Sequence, residues 1–479
     1  MSVRKHTAYN LLGSIVPLLV SLFTIPVYLS LVGPARYGVL TIAWLLLGYF
    51  GLFDLGLGRA TAQRIAALCD ATAGERARTF WTAFVLNVAL GVVGALLIWP
   101  IAAYFFGSVF KIDEGLRLEM QAAVPWLILT VPMATLSGVL SGALQGRQRF
   151  LELNLISVIG TVLFQLLPLG AAVLFGSDLG VLVPATLLAR LITLIMLFES
   201  CRRHVFQGHA ATFSYSQAGQ LLRFGGWVTV TSFVGPMMVI LDRFIISAMS
   251  GAKVVTYYTV PFQLAERTTM ISAALSSALF PRFAGATRHE ESRLAREALH
   301  TIMVVVTPLI VLSILLIKPF LSWWITKEFA EEAAGVGQIV LIGFWINSFA
   351  RIPSAMLQAR QRPDLVAKCH LAELLPYFFM LYIGLSTIGT MGAAVAFSLR
   401  ALVDFVLLSV LAGVSRISIQ GVLAPVALLG LALVIATQES PEQPLWGFLA
   451  VVNLLISIIW AWWRAPTSLR ELALIRLGF

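Results

Sequence analysis

The sequence is divided into uninterrupted apolar runs of about 20 residues, the length a helix needs to cross roughly 30 Å of hydrocarbon. Runs near 9–31, 38–58, 80–106, 120–144, 155–175, 179–199, 221–248, 255–280, 299–325, 335–357, 371–388, 391–412, 422–437 and 445–463 meet that ruler. That makes fourteen; the thirteenth is short and the boundaries are loose, so twelve is the alternative count. Of 479 residues, 59% are hydrophobic and only 12% are Asp, Glu, Lys or Arg, where a soluble domain carries about 25% charged residues. Such a chain cannot coat itself for water, which excludes a secreted enzyme, a cytosolic globule and a disordered chain. Its runs are continuous, unlike the short alternating segments of a β-barrel. The expected fold class is an all-α polytopic membrane protein.

The formal charge is +10, from 33 Lys and Arg against 23 Asp and Glu. The even-numbered connections and both termini hold 22 of these cations, and the opposite side holds six: Arg36, Lys111, Arg117, Lys253, Lys318 and Lys327. Cytoplasmic loops retain positive charge, so both ends are expected in the cytoplasm, and the basic excess calls for no nucleic acid. Cys69, Cys201 and Cys369 then fall on the reducing side and need no disulfide partners. The first run, Leu11 to Val32, is long enough to remain as a span, and no cleavable signal peptide is visible. Cys201, His204 and His209 lie close together but lack a fourth ligand at matching spacing, so no metal is expected. There is no Walker loop, no GxGxxG after a strand and no GxSxG elbow, and the longest outward loops (about 107–119 and 326–334) are too short for a catalytic domain. No catalytic residue is assigned. The tail, Leu469 to Phe479, reads as a basic amphipathic segment on the inner leaflet.

Residues 10–44 and 224–260 follow one pattern: a glycine-bearing helix start, a long apolar span, a tight G-(P/A)-(A/K) turn and an aromatic opening of the next span. The copies sit six spans apart. An even offset gives them the same orientation, related by an axis along the membrane normal. The expected organisation is a six-helix lobe over 1–203, a cytoplasmic linker over 204–220, a second six-helix lobe over 221–412, and two further helices with the tail over 413–479. Two lobes around a central cavity suit alternating access.

The stretch NLLGSIVPLLVSLFTIPVYLSLVGPARYGVLTIAWLLLGYFGLFDLGLGRA resembles bacterial polysaccharide-biosynthesis flippases. These are the O-antigen and lipid-linked oligosaccharide exporters of the multidrug/oligosaccharidyl-lipid/polysaccharide superfamily. The G-P-x-x-Y-G turn at Gly33 to Gly38, the D-L-G-L-G run at Asp54 to Gly58 and the L-D-R at Leu241 to Arg243 carry the likeness. It is strong over about the first 70 residues, moderate over 220–285, and absent from the C-terminal 60. The resemblance implies movement of undecaprenyl-pyrophosphate-linked oligosaccharide from the cytoplasmic to the periplasmic leaflet of the bacterial inner membrane. It also implies a lipid-linked substrate, with polysaccharide polymerase and chain-length proteins as candidate partners.

A charge at the centre of a spanning helix costs about 2.5–3.5 kcal/mol on insertion scales and so needs a partner or water. The five cations outside loops are Arg190, Arg243, Arg267, Arg351 and Arg400; the acids at comparable depth are Asp54, Asp242, Glu266 and Asp404, with Glu199 and Glu373 nearer the inner interface. Arg400 and Asp404, four apart, can face each other and satisfy one another. Asp242–Arg243 and Glu266–Arg267 are neighbours, about 100° apart on a helix, and are not expected to pair locally; Asp242 with Arg267 is the alternative. Arg190 and Arg351 have no acid within one turn.

The functional reading makes these arginines the grip on a diphosphate, because a guanidinium forks onto phosphate oxygens and stays charged when partly dehydrated. The bland reading is interhelical ion pairing or snorkelling to an interface. For Asp54, pairing with Arg59 or a loop stands beside gating. Asp54, Asp242, Glu266 and Asp404 are candidates for gating or for proton or sodium coupling, with no other cofactor. Trp227, Tyr257, Tyr258, Phe262, Trp345 and Phe349 could stack on sugar faces, although membrane aromatics more often form belts or packing. The rivals are an exporter of another lipid-linked precursor or of drugs within the same superfamily, with an acid-rich cavity expected for the drug exporter, and a glycan polymerase or ligase, which would need a larger periplasmic loop.

Overall fold

The computed structural model describes residues 3–49, 54–68, 71–360, 362–415, 421–438, 443–466 and 470; for 3–15, 17–18, 47–49, 223–240, 281 and 284 it describes the backbone only. Cys69, Arg416 and the Trp227 side chain therefore lie outside the described residues. So does the Leu469–Phe479 tail apart from Arg470, whose guanidinium donates to the Trp463 carbonyl.

All regular structure among the described residues is helical. The helices are α1 (Val3–Tyr49), α2 (Leu57–Ala67), α3 (Ala73–Tyr104), α4 (Glu114–Gly146), α5 (Phe150–Phe175), α6 (Leu179–Cys201), α7 (Tyr215–Ser250) and α8 (Ala252–Glu266). They continue as α9 (Met270–Gly285), α10 (Arg288–Trp324), α11 (Lys327–Ala359), α12 (Pro363–Ile388), α13 (Thr390–Ala412), α14 (Leu423–Gln438) and α15 (Pro444–Arg464). Ten described helical stretches are long and apolar enough to cross a membrane, and α14 is a shorter apolar helix. The chain is a multi-pass membrane protein. It forms two compact units, Met1–Thr256 and Tyr257–Phe479.

Two runs that the sequence separates, 9–31 and 38–58, meet within α1. The chain turns at Gly33, whose φ of 80° and ψ of 160° suit glycine alone. In a continuous helix Tyr28 and Trp44 would stand about 24 Å apart; their ring centroids are 5.4 Å apart, so the chain folds back. Gly251, between α7 and α8, adopts nearly the same conformation, φ 90° and ψ 168°. The two turn glycines of the repeat are thus the same backbone device.

The repeat runs further than the first two spans of each copy. Thr72 and Glu75 form a reciprocal capping box at the start of α3, and Thr287 and Glu290 form one at the start of α10. The sequence L-Q-x-R-Q-R occurs at Leu144–Arg149 and again at Leu357–Arg362. It ends α4 and α11 in the same way, Arg149 N donating to Leu144 O at 3.0 Å and Arg362 N to Leu357 O at 2.9 Å. These matches share an offset near that of the two glycine turns.

The D-L-G-L-G run explains how α2 begins. Asp54 Oδ1 accepts from Gly56 N at 2.7 Å and Oδ2 from Gly58 N at 3.2 Å, satisfying donors that open a helix and placing an anion at its positive end. Gly58 then lies against α4: a Cβ on Gly142 would collide with the Gly58 carbonyl. Small residues let the two backbones touch.

Candidate functional site

The structure separates the five deep arginines by partnership. Arg243 Nη1 donates to Asp242 Oδ1 at 2.7 Å, with both side chains almost fully buried. This corrects the expectation that neighbours cannot pair. The 100° rule fixes where Cα–Cβ bonds point, but the long arginine side chain wraps around the helix to reach the adjacent carboxylate.

Arg400 and Asp404 each have a partner on the neighbouring helix. Arg400 Nη1 lies 3.8 Å from Glu373 Oε2 on α12, while Asp404 Oδ1 lies 3.4 Å from His370 Nε2 on the same helix. The α12–α13 hairpin turns through Gly389 alone, which brings facing residues of the two helices together. His370 was not singled out by the sequence, and Glu373 was assigned nearer the interface. Arg400 also stacks over the Tyr377 ring at 5.5 Å.

Arg190 makes a different contact. Its guanidinium lies 4.7 Å above the Phe164 ring of α5, a cation–π arrangement. Phe164 packs on Trp44 at 5.3 Å, Trp44 Nε1 donates to Thr186 Oγ1 at 3.3 Å, and Tyr28 packs on Trp44 from the other side. Thr24 Oγ1 donates to Gln165 Oε1 at 3.2 Å nearby. Among the described residues no carboxylate forms an ion pair with Arg190.

Arg351, on α11, donates from Nη2 to Thr269 Oγ1 at 3.5 Å, and its carbonyl accepts from Ser276 Oγ at 3.3 Å. Its buried Nε has no hydrogen-bond partner among the described residues. Glu266 acts on it electrostatically without an ion-pair contact. Arg267 and Glu266 themselves are exposed, at the 3-10 turn Arg267–Thr269 where α8 gives way to α9. That break explains why a single span from 255 to 280 overstates the continuity of the helix.

Other singled-out residues have structural partners. Glu199 pairs with Arg202 at 2.6 Å and Arg203 at 2.8 Å. His204 Nε2 meets Glu152 Oε2 at 2.9 Å, whereas the buried Cys201 Sγ donates to Leu140 O at 3.4 Å. Tyr257, Tyr258, Phe262, Trp345 and Phe349 are all buried. They pack on one another and on neighbouring rings, and Trp345 Nε1 donates to Thr307 Oγ1 at 3.0 Å. These five aromatics serve packing.

Arg190 and Arg400 occupy matching places in the repeat. Each lies near the middle of its helix, 10 or 11 residues beyond the helix start, and each stacks over an aromatic of the preceding helix, Phe164 or Tyr377. The offset is 210 between the arginines and 213 between the aromatics. The acids differ: Gly160 stands where Glu373 would fall, and Leu194 where Asp404 would. One copy therefore holds its arginine apart from acids, and the other surrounds it with them.

A family model described as polysaccharide biosynthesis protein matches residues 30–334. A Shigella flexneri protein whose description assigns it provisionally to O-antigen transport is 30% identical over 409 residues, 85% of this chain and 97% of that protein. Among solved structures, the lipid II flippase MurJ in an inward closed conformation matches with a TM-score of 0.72 and 14% identity, over 98% of this chain and 100% of that one. An inward-facing multidrug resistance transporter of the MATE family matches with a TM-score of 0.71 and 15% identity, over 85% of this chain and 99% of that one. At such identities the two structures speak for the fold alone. All these relatives are named for transport or for polysaccharide biosynthesis, and none of the transporters is an enzyme. Because the family model spans more than half of the sequence and the Shigella relative is matched almost end to end, the chain belongs to the polysaccharide biosynthesis protein family.

Proposed function

We propose that this chain is a flippase that carries undecaprenyl-pyrophosphate-linked oligosaccharide, an O-antigen or similar repeat unit, from the cytoplasmic to the periplasmic leaflet of the bacterial inner membrane. Fourteen crossings, both termini in the cytoplasm and two six-helix lobes around a central cavity complete the reading. The lobes rock about the cargo while its prenyl tail stays in lipid. Polysaccharide polymerase and chain-length proteins are the natural recipients of the product, and a proton or sodium gradient the natural drive.

The observation that carries the reading is the contrast among the arginines. Arg243 is held by Asp242 and Arg400 lies beside Glu373, but Arg190 and Arg351 form no ion pair with a carboxylate among the described residues. A mid-helix guanidinium is costly in hydrocarbon unless something compensates it, and a diphosphate does so through forked hydrogen bonds. The identity shared with the Shigella relative favours this cargo over a cationic drug.

The test combines cells and proteoliposomes. Arg190→Ala with Arg351→Ala should abolish surface polysaccharide and the flipping of a defined lipid-linked sugar, while the protein still reaches the membrane. Full polysaccharide with both changes would remove these two residues from the site. Export of cationic drugs without any flipping would replace the cargo.

A further inference from the structure

We propose that His370, Glu373, Arg400 and Asp404 form a proton-binding site within the α12–α13 hairpin. The site is an elaboration of the second half of the repeat that the first half lacks. Its four groups come from two packed helices, with His370 Nε2 at 3.4 Å from Asp404 Oδ1 and Arg400 Nη1 at 3.8 Å from Glu373 Oε2. The Glu373 and Asp404 side chains are 2% and 6% exposed. Both Glu373 oxygens and Asp404 Oδ1 are buried without a hydrogen-bond donor among the described residues.

Charge counting selects the proton. Arginine is always charged, so Arg400 balances one carboxylate and leaves the second. A buried charge that is left over costs several kcal/mol, and the least costly remedy is to take up a single proton. That proton adds to His370 or to one of the two carboxyls. Nothing else forms or breaks. His370 is about one-third exposed and is the member through which the proton can enter. Arg400 and His370 add positive charge and donors where a metal cation would require oxygen ligands.

Among the described residues no other charged side chain forms an ion pair with Glu373 or Asp404. On α12 the other titratable neighbours are the Cys369 thiol, which faces both carboxylates, and Tyr377, which lies under Arg400. The other helix packed on α13 is α11. It presents Gly343, Phe344 and Phe349 to Phe397 and Phe405, and the Ile339 carbonyl to Ser398 Oγ. The matching positions of the first half, Gly160 and Leu194, carry no acid. The device thus divides labour between the copies: Arg190 is left for an anion, and Arg400 is committed to a protonic switch. That it drives transport rests on the flippase reading; that it binds a proton does not.

The test therefore uses the purified full chain in nanodiscs, without cargo or transport. Infrared difference spectra and a pH dye follow carboxyl protonation and proton uptake as the pH is stepped between alkaline and acidic. Wild type should take up a single proton per chain more than Glu373→Gln or Asp404→Asn, and each variant should lose the carboxylic C=O or imidazolium signal that accompanies it. Arg400→Gln should bind more protons than wild type at the same pH, an opposite effect that misfolding would not produce. Identical uptake and spectra in wild type, E373Q and D404N would overturn the proposal. So would a carboxylate band that responds to sodium at fixed pH and not to protons.

Discussion

Arg36 grips Glu119 with two parallel hydrogen bonds, Nη2 to Oε1 at 2.5 Å and Nε to Oε2 at 2.9 Å. The same carboxylate accepts from Leu179 N, the first residue of α6, at 3.3 Å. Arg36 belongs to the G-P-x-x-Y-G turn, so one side chain of that motif ties α1 to α4 and to the start of α6. The forked geometry places this pair at the upper end of what partly exposed ion pairs contribute, about 1 kcal/mol. Arg36→Ala should lower the melting temperature of the purified protein by a few degrees. The exchange Arg36→Glu with Glu119→Arg should recover part of that loss.

The contact between α2 and α4 is less forgiving. Gly142→Ala places a methyl group against the Gly58 carbonyl, which is backbone and cannot step aside. Overpacking of this kind costs about 1–3 kcal/mol. The expected result is a lower yield of folded protein and earlier unfolding in detergent. Gly170→Ala, on α5 with open space around it, should be neutral or stabilising.

Asp54 caps α2 with both carboxylate oxygens, and an amide can replace only one of them. Asp54→Asn should keep the transport and lose part of the stability, whereas Asp54→Ala should lose about 1 kcal/mol. Thermal unfolding and cellular polysaccharide together distinguish the two. Loss of transport in a folded D54N protein would return Asp54 to the coupling candidates.

Asp242 and Arg243 are buried together, so they should behave non-additively. Removing one partner leaves the other charge in a poor environment, at about 3–5 kcal/mol. Asp242→Ala and Arg243→Ala should each destabilise strongly, and the double variant should be more stable than either. A double-mutant cycle on unfolding in detergent measures the coupling; additive losses would contradict the pairing.

Arg190 should not tolerate lysine. An ammonium keeps the charge but loses the fork and the planar stack on Phe164. Arg190→Lys is expected to reduce flipping of a lipid-linked sugar by roughly tenfold, the equivalent of one charge-assisted hydrogen bond, with little change in unfolding. Phe164→Leu should have a smaller effect in the same direction.

The identity of the deep charges was legible in the sequence, and so was the tight turn at Gly33; the helix-opening role of the D-L-G-L-G run was not. Nor were the partners of the deep charges. Whether Arg400 meets Asp404 or Glu373 depends on how far α12 and α13 are rotated and slid against each other, and intrahelical spacing contains no term for that. The Asp242–Arg243 pair was missed for a related reason: helical angles describe Cβ directions, not the reach of a flexible side chain. The capping boxes and the doubled L-Q-x-R-Q-R extend the repeat beyond its first two spans, and both are polar signals independent of the apolar composition that all spans share.

What the amino-acid sequence determines by itself is the solvent and the segmentation. In hydrocarbon every backbone donor and acceptor must be satisfied within its own segment, so long apolar runs become helices wherever they fall, with local devices such as capping boxes and turn glycines marking their ends. Tertiary structure decides which buried charges meet a carboxylate and which do not. That choice depends on distances of a few ångströms between side chains hundreds of residues apart or on facing helices, where one turn of rotation exchanges a carboxylate for a ring, as the contrast of Arg400 with Arg190 illustrates.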